Sequence, residues 1–315
     1  MNGGWKPEQL ERPSLAPRNW PGWIGVALLW CLGHLPRRLG LLLVRPLGPL
    51  MRLALGSRRR IAERNLEVCL PDLPSDQRDR VLRESFDALA RMLVETAWCW
   101  AGRPPTLAPL VDDSGYEHIE TVREAGRGLL LVTAHVTCLE MGARAIGERF
   151  AGQGVYRPLG NPVLEWYQNR GRSRYARGML SKRDLRGAVR LLRRGGMLWY
   201  APDQDFGPQE SVFAPFFGVQ TATLLATHRL PALTGCRVVV MMPRYDRERD
   251  RYVVEVTPPL EAFPGDDPVA DLARINALLE AQVRKAPDQY WWVHRRFKTR
   301  PEGEPDFYGR DSRGS

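Results

Sequence analysis

This chain of 315 residues has little of several things, and each shortage excludes something. Cysteine occurs five times, at positions 31, 69, 99, 138 and 236, with no CxxC pair and no even-numbered framework. Such cysteines read as reduced thiols in a cytoplasmic setting. No His/Cys group has zinc spacing, so no metal or cofactor is expected. The GxSxG elbow, the Walker A loop and GxGxxG are missing, and with them the serine-hydrolase, P-loop and dinucleotide readings. Internal repeats are not evident. A mean hydropathy of -0.36 excludes a polytopic membrane protein. There is no helix-turn-helix or RNA-binding signature, and the basic residues are not interleaved with stacking aromatics, so nucleic acid is not an expected partner.

Positive charge, by contrast, is abundant. Lys and Arg number 46 against 36 Asp and Glu, for a net +10 and a pI near 9.7. Acidic partners follow: phosphates, anionic lipid or an acidic protein. The excess is concentrated. Residues 1–64 carry eleven basic and three acidic residues, and residues 157–194 carry eleven and two, so the remainder is net acidic. Two basic zones suggest two tasks, although any single arginine here also fits a solvated helix face.

Residues 1–19 read as a leader rich in proline and charge. Residues 20–60 read as a membrane anchor. Their first apolar run, Trp23 to Leu35, would be only ~20 Å long as a helix, against the ~30 Å of a bilayer core. The second run is broken by Arg45, Pro46, Pro49 and Arg52. Trp20, Trp23 and Trp30 suit an interface, and Arg58, Arg59 and Arg60 suit an anionic inner leaflet. Either a short tilted span or a helix lying in the interface fits; a buried pair of core helices is the alternative. Residues 61–315 form the remaining domain.

In that domain Leu82, Phe86, Leu89, Leu93, Thr96 and Trp100 share one face of a helix over 75–101. Beyond a proline-rich break the pattern alternates. Strands are expected at 128–134, 154–158, 197–201, 237–243 and 251–256. Helices are expected at 138–149, 161–177, 184–194, 221–233 and 268–286. The fold class is α/β, a mostly parallel central sheet flanked by helices. Ligands of such sheets gather at the carboxyl ends of the strands. His135, Arg157 and Asp203 each fall at such an end.

The apolar run "GLLLVTA" stops at His135, and Glu140 follows five positions later. A helix starting between them could turn the carboxylate toward one imidazole nitrogen, leaving the other to accept a proton. A His–acid pair without its own nucleophile suits activation of a substrate hydroxyl, and hence acyl transfer to an alcohol. The spacing alone is weak, because acids are common enough for chance to supply it; a capping or core histidine beside a surface glutamate is the bland alternative.

The surroundings are more specific. HxxxxE resembles the HX4(D/E) box of the glycerolipid acyltransferases. "RRRIAERNLEVCLPDL", "GYEHI", "GVYRPLGNPVLEW", "LWYAPDQDFGP" and "YWWVHRRFKTRPEGEPDFY" resemble successive blocks of the lipid A late acyltransferases, lauroyl type, from about Trp20 to Tyr308. The resemblance implies transfer of a fatty acyl group from acyl carrier protein to a hydroxyacyl hydroxyl of Kdo2-lipid IVA, at the cytoplasmic face of the inner membrane. On this reading His135 is the general base and Glu140 its orienter. Arg157 holds a phosphate or the developing oxyanion, Asp203 and Asp205 order that arginine or bind acceptor hydroxyls, and Arg295 and Arg296 contact phosphate, Kdo or the carrier. Two other readings compete: an acyltransferase for another membrane lipid such as a lysophospholipid, and a non-catalytic protein that binds anionic lipid.

Overall fold

A computed structural model describes residues 11–309. Seven strands form one sheet in the order β1 (Val111–Ser114), β9 (Arg251–Val256), β8 (Arg237–Asp246), β2 (Leu129–Val132), β5 (Met197–Tyr200), β3 (Gln153–Tyr156), β4 (Gly178–Ser181). The five from β8 to β4 are parallel, whereas β1 and β9 run the other way. The sheet is thus mostly parallel, as expected. Leu129, Leu130, Leu131 and Val132 are all fully buried, which is why this strand reads as a continuous apolar run.

Alternate residues of the central strands face opposite layers. Leu129, Leu131 and Met197 cluster with Ala145 and Ile146 of α7 (Leu139–Arg149) and with α6 (Tyr116–Glu124). Leu130, Val132, Leu198 and Tyr200 meet Ala188 and Leu192 of α9 (Leu185–Arg193) and Leu230 of α10 (Ala226–Thr234). Right-handed crossovers account for this division. The path β2–α7–β3–α8–β4 moves outward along the sheet and places α7 and α8 (Pro162–Arg172) on one face. The return through α9 to β5 uses the other face, which α11 (Pro268–Lys285) also covers.

The long amphipathic helix is present as α5 (Ser75–Ala101), ended by Gly102 in the left-handed conformation at φ 71°. The expected helix at 221–233 begins later: β6 (Ser211–Phe216) and β7 (Val219–Leu224) form a separate hairpin, and α10 follows it. The expected helix at 161–177 ends at Arg172, and β4 follows.

The N-terminal segment is four helices: α1 (Trp20–His34), α2 (Arg37–Val44), α3 (Leu47–Ala54) and α4 (Gly56–Cys69). No single described helix is long and apolar enough to cross a membrane; Arg37–Ala54 with Gly56–Cys69 meets the length and composition only as a pair bent by 87°. Residue 60 lies within α4, so the chain has no break between the anchor region and the domain. Of the leader, residues 1–10 lie outside the described residues. Helix α1 packs on α5 and α8 through its small residues. A Cβ on Gly33 would meet the Ala97 carbonyl oxygen at 2.4 Å, and one on Gly22 would meet Val163 Cβ at 2.9 Å. Its outer side leaves Trp20, Ile24, Leu28 and Trp30 exposed.

Candidate active site

Parallel pairing of β2 with β5 has a constant offset: Leu129 faces Met197 and Val132 faces Tyr200. The ladder continues past both strands, where Thr133 N–H donates to the Tyr200 carbonyl at 3.0 Å. The same offset puts His135 beside Asp203. The His135 backbone N–H donates to Asp203 Oδ2 at 2.9 Å, and its Nδ1 lies 2.5 Å from Asp203 Oδ1. Two neighbouring strand ends therefore build a two-point contact that no spacing along one segment could supply.

The Asp203 side chain is 3% exposed and that of His135 29%. Burial alone would raise the Asp203 carboxyl. The His135 charge, both hydrogen bonds from His135 and the Arg296 guanidinium outweigh it and hold Asp203 below the usual carboxylate range. An ionised Asp203 keeps the proton on Nδ1 and leaves Nε2 as the basic nitrogen.

Glu140 does not orient His135, contrary to the sequence expectation. Residues 133–138 are non-helical and α7 starts only at Leu139, so Glu140 turns away from the imidazole. Arg172 grips it with two hydrogen bonds, Nε to Oε1 at 2.9 Å and Nη2 to Oε2 at 2.8 Å. Trp100 Nε1 donates to Oε1 at 2.9 Å, and the Tyr175 hydroxyl donates to the same oxygen. Burial opposes the charge, but these partners hold the Glu140 carboxyl below its ordinary value. Glu140 thus ties α7 to α5 and α8 just behind the His135 loop. Arg172, counted in the second basic zone, is a buried ion-pair partner rather than a surface charge.

The C-terminal segment braces that loop from the other side. Thr137 N–H donates to the Gln289 carbonyl at 2.8 Å, and Trp291 N–H to the His135 carbonyl at 3.0 Å. Asp205 is not free for an acceptor hydroxyl: it accepts from Thr299 N–H at 2.7 Å, Thr299 Oγ1 at 2.9 Å and Gly207 N–H at 2.9 Å. Its own N–H donates to His294 Nε2 at 3.3 Å. Burial, reinforced by the charges of His135 and Arg296, pushes His294 down to about 4, although Asp203 opposes this.

Arg296 is not at the surface either. It is 2% exposed and donates to the Ala222 carbonyl and, at 3.4 Å, to Thr223 Oγ1, so it locks the β6–β7 hairpin under the site. Arg295 lies over the Tyr308 ring at 5.2 Å. Arg157 stands exposed just past β3, on the same rim as His135 but across β5 from it. It does not pair with Asp203, whose carboxylate is taken by His135.

Cys138 is fully buried, with Sγ 3.7 Å from Gln289 Oε1, and burial pushes its thiol well up. A neutral buried thiol is a poor nucleophile. Sequence reasoning missed the roles of Trp100, Arg172 and Tyr175, and took His294 only as part of a basic C-terminal cluster. Arg172 left a signal as a member of a basic cluster one helix away from the box, and Trp100 as the last residue of the apolar face of α5.

Residues 8–299 match the family model for bacterial lipid A biosynthesis acyltransferases. The chain belongs to that family. It is 40% identical over 297 residues to a lipid A biosynthesis lauroyltransferase of Escherichia coli K12, covering 93% of this chain and 96% of that protein. A palmitoleoyltransferase of the same strain is 36% identical over 301 residues, covering 95% and 98%. A myristoyltransferase is 30% identical over 307 residues, covering 96% and 94%. The likeness to a solved 1-acyl-sn-glycerophosphate acyltransferase of Thermotoga maritima is slight, with a TM-score of 0.38 at 15% identity over 80% of this chain and 99% of that one. Membership makes this chain an acyltransferase of lipid A biosynthesis. The sheet rim of this acyltransferase carries the His135–Asp203 pair.

Proposed function

We propose that this acyltransferase moves a fatty acyl chain, lauroyl or close to it, from acyl carrier protein to a hydroxyacyl hydroxyl of Kdo2-lipid IVA, at the cytoplasmic face of the inner membrane. The observation that carries the chemistry is the His135–Asp203 pair, with Nε2 left as the basic nitrogen and the neighbouring thiol of Cys138 buried. The acceptor hydroxyl gives its proton to His135 Nε2 as its oxygen attacks the thioester carbonyl carbon. A C–O bond forms, the C–S bond breaks, and the imidazolium returns the proton to the departing thiolate. Asp203 stabilises the transient imidazolium. Arg157, exposed on the same rim, is suited to a phosphate of the acceptor.

The membrane reading rests on where apolar surface is left uncovered. Among the described residues, eleven of the fifteen exposed large hydrophobics lie between Leu15 and Leu55. Such a belt suits helices lying in a lipid interface, which would bring the site to a membrane-held acceptor.

The test supplies acyl carrier protein thioester with Kdo2-lipid IVA and a competing lysophospholipid. Acylation of Kdo2-lipid IVA alone is expected. Preferential acylation of the lysophospholipid would replace the acceptor, and no transfer to either would refute the proposal.

A further inference from the structure

We propose that the outer face of α9 is the docking surface for the acidic carrier protein that delivers the acyl thioester. This rests on the donor proposed above and goes beyond it by assigning the surface.

Across this face Arg186, Arg190, Arg193 and Arg194 surround Leu185 and Val189 and line a groove of about 490 Å³. Leu185 is 51% exposed. An apolar centre with a charged rim is the build of a protein contact.

A solvated helix face is the plain alternative; some surface arginines of this chain are paired and others are not, and α9 differs in gathering four around an apolar centre. On α4, Arg59 meets Glu63 and Arg64 meets Glu67, each at 3.3 Å. Arg149 meets Glu120 at 2.7 Å. On α9 no carboxylate of the described residues pairs with any of these arginines. Asp184, the one acid between residues 166 and 202, is spent as the helix cap on Gly187 N–H at 2.8 Å. Arg193 gives Nη2 to the Leu233 carbonyl at 2.9 Å, which leaves Arg186, Arg190 and Arg194 as uncompensated charge. Arg186 with Arg190, and Arg190 with Arg194, are like charges four apart, each of which weakens a helix.

Two placements decide between protein and lipid as the occupant. The exposed apolar helix α1 packs on α5 and α8, and the end of α8 lines one cavity with α7, Met197 and Trp199, strand residues that alternate with the Leu198 and Tyr200 facing α9. A membrane lying against α1–α3 would leave α9 turned away from it. At the same time α9 begins at the catalytic rim. Lys182, just before it, lies 5.9 Å from the Phe206 ring, in the loop that carries Asp203 and Asp205. A carrier seated on α9 would present its thioester arm at the rim occupied by His135, from the aqueous side. Charge complementarity would also speed the encounter.

The test compares the full-length wild type with Arg186→Glu/Arg190→Glu and Arg186→Lys/Arg190→Lys. Each is given lauroyl-acyl carrier protein or lauroyl-pantetheine, with Kdo2-lipid IVA as acceptor. The affinity for fluorescently labelled acyl carrier protein is measured in parallel. Charge reversal is expected to raise KM for the carrier thioester about tenfold, and Kd with it. It should leave kcat and use of lauroyl-pantetheine unchanged, and the lysine pair should behave as wild type. The defect should shrink as salt rises. Unchanged KM and Kd would overturn the assignment. So would equal loss with both donors, or a rise in KM for the lipid instead, which would mark α9 as a phosphate-binding face. A wild type that neither binds nor uses the carrier thioester would refute the donor itself, a result separable from failure of the α9 variants alone.

Discussion

His135 meets Asp203 because two adjacent parallel strands share one register, and the proposed chemistry rests on that meeting. His135→Ala is predicted to cost ~10²–10⁴-fold in turnover, with fold and membrane attachment intact, since general base catalysis contributes about that much. Activity within twofold of wild type would remove His135 from the mechanism. Cys138→Ala should keep most activity, and intact-mass spectrometry should find no acyl adduct when donor is supplied without acceptor. His135 itself was legible in the sequence as a polar stop to an apolar strand. Its orienter was not, because HX4E counts along the chain whereas the orienting carboxylate arrives from the neighbouring strand. Asp203 was placed on the correct rim by the strand-end argument but given a different partner.

At the scale of elements, the Glu140–Arg172 pair joins α7 to α8, and Trp100 brings in α5. Removing one partner of a buried, hydrogen-bonded ion pair typically costs ~3–5 kcal/mol, because the other charge is left buried and alone. Glu140→Gln is therefore expected to lower stability by an amount in that range, measured by denaturant unfolding in micelles. Little loss of stability would mean that the carboxylate acts elsewhere. Helix α1 offers a second case. Its seat on α5 depends on Gly33, so Gly33→Leu should destabilise by ~1–3 kcal/mol, as overpacking does. The long helix α5 was legible to its ends, since one apolar face runs its full length and Pro74 and Gly102 bound it. The β6–β7 hairpin was not. Its "VQTATL" strand is short and leads straight into α10, so apolar content alone did not separate strand from helix.

For the whole molecule, the exposed belt and the buried titratable groups set the expected response to lipid and to pH. Replacing Leu42, Leu43, Leu50 and Leu53 with serine should shift the protein out of the membrane fraction and raise the apparent KM for lipid acceptor. These side chains are 55–76% exposed, so the fold should survive. Retention in the membrane would place the attachment elsewhere. His294 sits near 4 in the folded protein against an ordinary 6.5. The unfolded chain thus binds its proton first, and the stability that neutral His294 contributes is full above about 6.5 and is lost as pH falls toward 4. Tm should fall across that window, and His294→Gln should flatten the decline; an unchanged slope would contradict this. The α/β class and the two basic zones were legible from composition and periodicity. That Arg172 and Arg296 are interior was not, because a count of charges carries no depth.

Asp203 and Glu140 are the two carboxylates that could serve His135, and only Asp203 touches it. The direct measurement is kcat for Asp203→Asn beside Glu140→Gln, each with acyl carrier protein thioester and Kdo2-lipid IVA and each scaled to its folded fraction. The predicted result is a loss of ~10²–10⁴-fold in Asp203→Asn, with the fold retained, because the imidazole loses the charge that fixes its tautomer. Glu140→Gln should lose mainly stability, with much of its activity returning per folded molecule. The contradicting result is an Asp203→Asn enzyme that turns over like wild type, beside a stable Glu140→Gln enzyme that does not.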